Sequence, residues 1–177
     1  MFKQLRTFLT ALGKEPAPAY RPVNNPPPRR LIMTQASVLV MRDCVAPEIA
    51  RGHEGIAYLF GQTNGATTVV VGAIRPESRT TSGSFNVSSI AMARVVRQAT
   101  DAGLQVIGQI HTHPGQAYHS DGDEDGARIA YDGYVSIVVP NYGRQLPSLA
   151  GAAIYFYRNE AFSELQGKAV KLITGKF

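Results

Sequence analysis

Strand-like and helix-like segments alternate along this chain from residue 31 onward, and this alternation constrains the fold more than any other feature. The strand-like segments are short and rich in β-branched and aromatic residues, and the helix-like segments carry apolar residues at helical spacing. We predict strands at 31–35, 56–62, 67–74, 104–113, 135–140, 151–158 and 168–173, and helices at 36–52, 86–103 and 123–133. Such alternation favours an α/β fold with helices packed on a sheet.

Local signals refine this outline at four places. Pro47 falls inside the first helical segment and is expected to break or kink it. Asn64 and Gly65 separate two strand-like segments and predict a hairpin turn. Gly103 closes the second helical segment, as glycine commonly does. The stretch RPESRTTSGSF, residues 75–85, is polar and predicts an irregular loop.

The net positive charge of the chain comes entirely from its N-terminal part. The net charge is +5, and residues 1–30 contain six basic residues and one acidic residue, so the rest of the chain is neutral. A neutral body argues against a DNA-binding domain, and we expect no nucleic-acid partner. No apolar run approaches the roughly 18 residues that a membrane span requires.

Residues 1–30 are predicted to form a leader that is separate from the domain at 31–177. Residues 1–14 place apolar side chains at helical spacing, which predicts a short amphipathic helix that docks on the body or frays, with a partner- or membrane-binding helix as the alternative. Six of the eleven prolines lie between Pro16 and Pro28 and indicate an extended linker. The single cysteine, Cys44, excludes an intramolecular disulfide and a Cys-based zinc cage, and we interpret it as a small buried apolar residue.

Three of the four histidines fall within nine residues, at the end of the strand predicted for 104–113. Alternating side chains in a strand put His111 and His113 on one face, where two imidazoles can hold one ion. Asp123 follows ten residues after His113, and two histidines with one carboxylate leave a fourth tetrahedral position open, as in catalytic zinc sites. The alternative is a polar loop in which Ser120 and Asp123 only cap a helix.

A hydrolytic metal site also needs a base that is not a ligand. The segment HEGIA begins like the metalloprotease motif H-E-x-x-H, but Ala57 stands where the second histidine would be, so that motif fails. Glu54 nevertheless precedes an apolar strand. Considered alone, a glutamate at a strand start is usually a solvated edge residue.

Taken together, EGIAYLFG (54–61), HTHP (111–114) and SDGD (120–123) resemble the signature of the JAMM (MPN+) metalloprotease family. The resemblance covers roughly residues 31–157 and includes the order of helices and strands. The loop between the second histidine and the serine has six residues, one fewer than is usual in the family, and carries the extra histidine His119. With SIVVPNYG (136–143), the chain looks most like the bacterial branch.

The resemblance implies an α/β fold of the MPN (cytidine-deaminase-like) type, with a mixed sheet flanked by helices and an N-terminal extension. It implies that His111, His113 and Asp123 bind Zn²⁺, that Glu54 takes a proton from water, and that Ser120 donates a hydrogen bond to the developing oxyanion. We interpret His119 as a water-exposed loop residue, with a place in the substrate groove or a hydrogen bond to a ligand as the alternative.

The function that the resemblance implies is cleavage after the C-terminal Gly of a ubiquitin-like protein. The setting would be a cytoplasmic bacterial ubiquitin-like pathway such as antiphage defence, with activating and conjugating enzymes as associated partners. The loop at 75–85, with Arg75 and Arg79, is expected to contact the tail of the modifier. The alternatives are a non-catalytic MPN scaffold, a relative associated with DNA repair, and metal-dependent hydrolysis of a small molecule.

Overall fold

The fold is taken from a computed structural model that describes residues 30–64, 67–120, 122–123, 129, 131–165 and 170–173. Residues 1–29 of the predicted leader, the turn at 65–66, and residues 124–128 and 130 of the helix predicted for 123–133 lie outside the described residues. Arg30 already belongs to the first strand, and residues 129 and 131–133 are not helical, so the prediction of a helix that reaches residue 133 is wrong. Within the described ranges, no helix is long and apolar enough to cross a membrane.

The described elements follow the alternation expected from the sequence, with short additional strands. In chain order they are β1 (Arg30–Thr34), α1 (Gln35–Arg51), β2 (Ile56–Asn64), β3 (Thr67–Ile74), β4 (Ser78–Thr81), β5 (Ser84–Val87), α2 (Ser89–Asp101), β6 (Gln105–Thr112), β7 (Val135–Val139), a 3₁₀ turn (Asn141–Gly143), β8 (Ala153–Arg158), β9 (Ala161–Glu164) and β10 (Val170–Ile173). The sequence analysis missed β9.

Most of the described strands form one mixed sheet in the order β10-β1-β3-β2-β6-β7-β8-β9. β6 pairs antiparallel with β2 and parallel with β7, and it lies near the centre of the sheet. The expectation of an α/β fold with a mixed sheet and flanking helices is therefore confirmed.

The two faces of the sheet carry separate cores. Alternation along β2 directs Ala57 and Leu59 into the core beneath α1. The side chains of Ile56 and Tyr58 enter the other core, beneath α2. Cys44 is half-buried at the margin of the first core, where burial raises the pKa of its thiol. Cys44 thus packs against apolar side chains as expected, but it is only half-buried rather than buried.

Helix α1 runs through Pro47, so of the two expected effects of this proline, a break or a kink, the break does not occur. Pro47 has no N–H to donate to the carbonyl of Asp43, but both residues are exposed, and water can hydrate that carbonyl. A capping box between Thr34 and Ser37 starts the helix, and Gly52 ends it with a left-handed φ of 66°.

Residues 75–85 were expected to form an irregular loop, and that expectation is wrong. They contribute β4 and the start of β5, which pair as an antiparallel hairpin with Thr81 opposite Ser84. The polar composition concealed the strands because most of these side chains are exposed. The tip is held by a hydrogen bond of 2.8 Å between the hydroxyls of Thr81 and Ser84.

A buried carboxylate joins this hairpin to the helix α1. Glu48 is 2% exposed and forms ion pairs with Arg51 and Arg75, and the hydroxyl of Thr80 donates to it at 2.7 Å. Burial opposes the charge of Glu48, but the hydrogen bonds from Arg51, Thr80 and Arg75 outweigh it and lower the pKa of this carboxyl. The guanidinium of Arg75, expected to face a substrate, is thus paired with Glu48.

The substitution Glu48→Gln tests this network. We expect the free energy of unfolding at pH 7 to fall by about 1–3 kcal/mol, because a neutral amide satisfies two guanidinium groups poorly. The lowered pKa stabilises the native state above the ordinary value of 4.5, and this contribution is lost as the pH falls below it. Urea unfolding between pH 3 and 7 should therefore show the two proteins converging in acid.

The matched control is Glu77→Gln, which removes an exposed carboxylate that pairs with Arg94 at 2.8 Å. That change should cost less than about 0.5 kcal/mol. Equal losses for the two variants, or a constant difference at every pH, would contradict the role assigned to Glu48.

Candidate metal centre

The two histidines of the H-T-H sequence lie at the end of β6 and share one face of the strand. Both are buried, and their ring centroids are 5.1 Å apart. Thr112, between them, points to the other face, where its Oγ1 accepts a hydrogen bond of 2.8 Å from the N–H of Gly55. The expectation drawn from strand alternation is therefore met.

Asp123 returns to the two histidines, although ten residues separate it from His113. Its Oδ1 lies 3.2 Å from Nε2 of His111, and its Oδ2 lies 3.2 Å from Nε2 of His113. One ligand atom from each of the three residues falls within 4.8 Å of the others. The structure therefore brings together the three residues that the sequence analysis named as ligands.

The chemistry of this group fits a metal ion. Both ring nitrogens of His111 are buried; Nε2 faces Oδ1 of Asp123 at 3.2 Å, and Nδ1 lacks a hydrogen-bonding partner within the part of the chain that is described. An unsatisfied buried polar atom is costly unless another group binds it. The buried His-His-Asp set offers one ligand atom from each residue, two imidazole nitrogens and one carboxylate oxygen, as a metal ion requires.

The ionisation of Asp123 and that of His113 depend on each other. Burial opposes the charge of Asp123, but hydrogen bonds from His111 and His113 outweigh it and hold the pKa of this carboxyl well below its usual range. For His113, burial opposes protonation, and the contact with Asp123 overcomes it and raises the pKa. The carboxylate is therefore ionised, as a metal ligand must be.

Ser120 forms hydrogen bonds with Asp123. Its Oγ and its backbone N–H each donate to Oδ2 of Asp123 at 2.8 Å, and the N–H of Asp123 lies 3.2 Å from the Ser120 Oγ. This is the reciprocal pattern of a helix cap, one of the two interpretations that the spacing left open. The cap and the ligand group coexist, since the cap aims the carboxylate at the histidines.

Glu54 lies in the short segment that leads into β2 and lines the same cavity as His113, Ser120 and Asp123. This cavity has a volume of about 410 Å³. The register of β2 and β6 pairs Ile56 with His111, which brings the start of β2 to the histidine end of β6. Glu54 is thus part of the candidate site rather than a solvated edge residue.

The surroundings of Glu54 favour its neutral form. Its side chain is 6% exposed, and burial raises its pKa to about 7, with His113 opposing and Asp123 adding to the shift. The backbone around it is fixed, because its N–H donates to the carbonyl of Thr81 at 2.8 Å. Gly55 allows this close packing, since a Cβ there would lie 2.8 Å from the Cβ of Val45.

His119 is half-buried and its ring nitrogens are shielded from water, so the preferred interpretation from the sequence is wrong. Its ring stacks on Phe162 at 4.1 Å and lies 6.1 Å from the ring of His111. Both ring nitrogens are buried without a hydrogen-bonding partner among the described residues. Burial, aided by His111, lowers its pKa to about 4, so His119 is neutral near pH 7. The sequence could not show this, because Phe162 belongs to the missed strand β9.

Sequence reasoning also missed two aromatic side chains that line the cavity. Phe85 lies 5.3 Å from the ring of His111, and Tyr118, which is 56% exposed, lies 5.0 Å from that of His113. Phe85 was detectable as a lone large apolar residue in the polar stretch 75–85. Tyr118 carried no distinguishing signal.

The sequence of the chain matches a known protein family and a curated relative. Residues 46–149 match the family described as prokaryotic homologs of the JAB domain. The chain is 32% identical over 130 residues to "Probable metalloprotease y4jG" of Sinorhizobium fredii, covering 67% of this chain and 80% of that protein.

A solved structure shares the fold. The solution structure of protein DSY2949 from Desulfitobacterium hafniense matches with a TM-score of 0.61 at 16% identity, over 82% of this chain and 94% of that one. The matched family segment contains Glu54, His111, His113, Ser120 and Asp123. The chain therefore belongs to the prokaryotic JAB-domain homologs, within the JAMM (MPN+) family that its sequence resembles.

Proposed function

We propose that this protein is a zinc metalloprotease that cleaves a peptide or isopeptide bond after the C-terminal Gly of a ubiquitin-like protein. The observation that carries the proposal is a buried His-His-Asp group of which His113 and Asp123 line one cavity with Glu54, a buried glutamate of raised pKa. The relative named a probable metalloprotease supports the hydrolytic class.

His111, His113 and Asp123 would hold the ion, and zinc suits them because it accepts imidazole nitrogen and carboxylate oxygen together. When bound, zinc polarises a carbonyl and makes water acidic near neutral pH. The remaining steps fall to the side chains that line the cavity.

Glu54 is assigned the role of general base. A pKa of about 7 matches the operating pH, where a group can both accept a proton and deliver it. Glu54 would take the proton from the attacking water and pass it to the departing amine. Since Glu54 is excluded from the three-residue ligand group, its carboxylate remains available for this exchange.

Ser120 is assigned to the developing oxyanion, where a donor in comparable sites is worth roughly 3 kcal/mol. In this structure its hydroxyl donates to Asp123, so the role requires the hydroxyl to turn from the carboxylate toward the substrate. Before that turn, the same bond holds Asp123 in place.

The hairpin supports an extended substrate. Its β4 strand is held by Glu54 through Thr81, whereas Ser84 and Phe85 of β5 line the cavity. A peptide tail can pair with β5 as an added strand and reach the ligand group. The proposal places the protein in a cytoplasmic ubiquitin-like pathway, such as one of antiphage defence, alongside activating and conjugating enzymes.

Metal content provides the first test of the site. The purified protein should hold close to one zinc ion, and His113→Ala should lose most of it, because two ligands rarely retain a catalytic ion. Elemental analysis after dialysis measures this. His53→Ala is the control, since His53 contacts Thr80 and lies outside the ligand group. Equal zinc in His113→Ala and wild type would refute the ligand assignment.

The substitution Glu54→Gln should separate catalysis from folding. Activity should fall by roughly 10²–10⁴-fold, as for loss of a general base, while zinc stays bound. The metal-free variant should be more stable than metal-free wild type at pH 8, by about 2–3 kcal/mol. Cleavage assays, elemental analysis and urea unfolding measure the three quantities.

The stability gain follows from the sign of the shift. A carboxyl with a pKa raised from 4.5 to about 7 costs the native state stability as the pH rises through that interval, and Gln escapes this cost. The two metal-free proteins should therefore converge near pH 4. Retention of more than about a tenth of the activity would show that another group is the base.

Substrate choice is tested with fusions of a ubiquitin-like protein to a reporter. We expect cleavage directly after the terminal Gly, and replacement of that Gly by Val should slow it by roughly a hundredfold, because a side chain prevents close approach of the backbone. Mass spectrometry locates the cut. Equal cutting of both fusions, or cutting that persists with a chelator, would refute this specificity.

A further inference from the structure

The segment that follows β7 has an unusual backbone. Asn141 and Tyr142 adopt left-handed φ values of 53° and 57°. A bulky residue such as tyrosine rarely occupies this region, and such conformations persist where the surrounding structure fixes them, often at functional sites. The contacts of Tyr142 show what this conformation positions.

Backbone hydrogen bonds from this segment hold the chain at His113, the second candidate ligand, and at Gly115 just beyond it. The N–H of Tyr142 donates to the carbonyl of His113 at 2.7 Å, and the N–H of Asn141 donates to the carbonyl of Gly115 at 2.9 Å. The N–H of His113 donates in turn to the carbonyl of Val139 at 2.9 Å. One wall of the cavity is therefore fixed to the end of β7.

The side chain of Tyr142 reaches the opposite wall. Its hydroxyl donates to the carbonyl of Ser82, at the tip of the β4–β5 hairpin, at 2.8 Å. The next three residues, Gly83, Ser84 and Phe85, line the cavity. On the other side of the tip, the N–H of Glu54 holds the carbonyl of Thr81. The tip is thus tied to both the glutamate and the histidine sides of the site.

We infer that Tyr142 is a positioning residue that sets the distance between the hairpin and the metal-binding strand, and thereby the fit of the substrate tail. The inference rests on the proposed function for its effect on substrate and on the structure alone for its effect on the hairpin. The hydroxyl contact lies at the surface, so it contributes little to global stability. Its contribution is local, because it fixes the tip of the hairpin at Ser82.

The test is Tyr142→Phe in the full-length zinc protein. This change removes the contact to Ser82 and keeps the ring and the backbone bond to His113. Zinc content and the melting temperature should stay unchanged, while KM for the modifier fusion should rise about three- to tenfold with kcat within about twofold. Hydrogen exchange at the amides of residues 83–85 should become faster. Tyr157→Phe, which removes a hydroxyl from β8, should change none of these.

The outcomes are separable. Unchanged KM and unchanged exchange at the hairpin would overturn the inference, and so would loss of zinc, because Tyr142 would then act through the ligand His113. If wild-type protein fails to cut the fusion, the proposed substrate is wrong. The exchange measurement then still decides whether Tyr142 holds the hairpin.

Discussion

The antiparallel register of β2 on β6 is the constraint on which the site depends. It pairs Ile56 with His111, so the start of one strand and the end of the other meet at the same edge of the sheet. Glu54 and His113 consequently line one cavity although 58 intervening positions separate them in the sequence. Gly108 lets β7 approach from the other side, because a Cβ there would lie 2.4 Å from the carbonyl oxygen of Val135. A shift of one residue in this register would turn every side chain to the opposite face.

The site concentrates polar groups in a place where burial makes them costly. Glu54, His111, His113 and Asp123 are all buried, yet they respond differently to that environment. Asp123 remains ionised because two histidines and Ser120 donate to it, whereas burial raises the pKa of Glu54. In the proposed mechanism the two carboxyl groups of this cavity therefore have different tasks, ligation for Asp123 and proton transfer for Glu54. Burial of these polar groups lowers the stability of the fold, a loss that proteins commonly tolerate at functional sites.

The hairpin illustrates how a polar segment acquires a defined structure through distant contacts. Its anchors are Glu48 on α1, Glu54 before β2 and Tyr142 after β7, and each bonds to a different residue of Thr80–Ser82. Polar bonds hold its base and tip, while Phe85 and Val87 of β5 pack into the core beneath α2. The wall of the cavity that faces an incoming chain is therefore positioned by residues from three separate parts of the sequence.

The sequence by itself determined the features that depend on local periodicity. Strand alternation put His111 and His113 on one face, and the spans of the first two helices, the glycine stop and the order of most strands along the chain followed from residue spacing. The role proposed for Glu54 was visible only through the family resemblance. Tertiary structure alone decided the return of Asp123 to the histidines, the pairing of Arg75 with Glu48, the hairpin at 78–87 and the burial of His119 against Phe162. The physical reason is that desolvation and hydrogen bonding between distant segments depend on which surfaces pack together. Local propensity does not specify those long-range contacts.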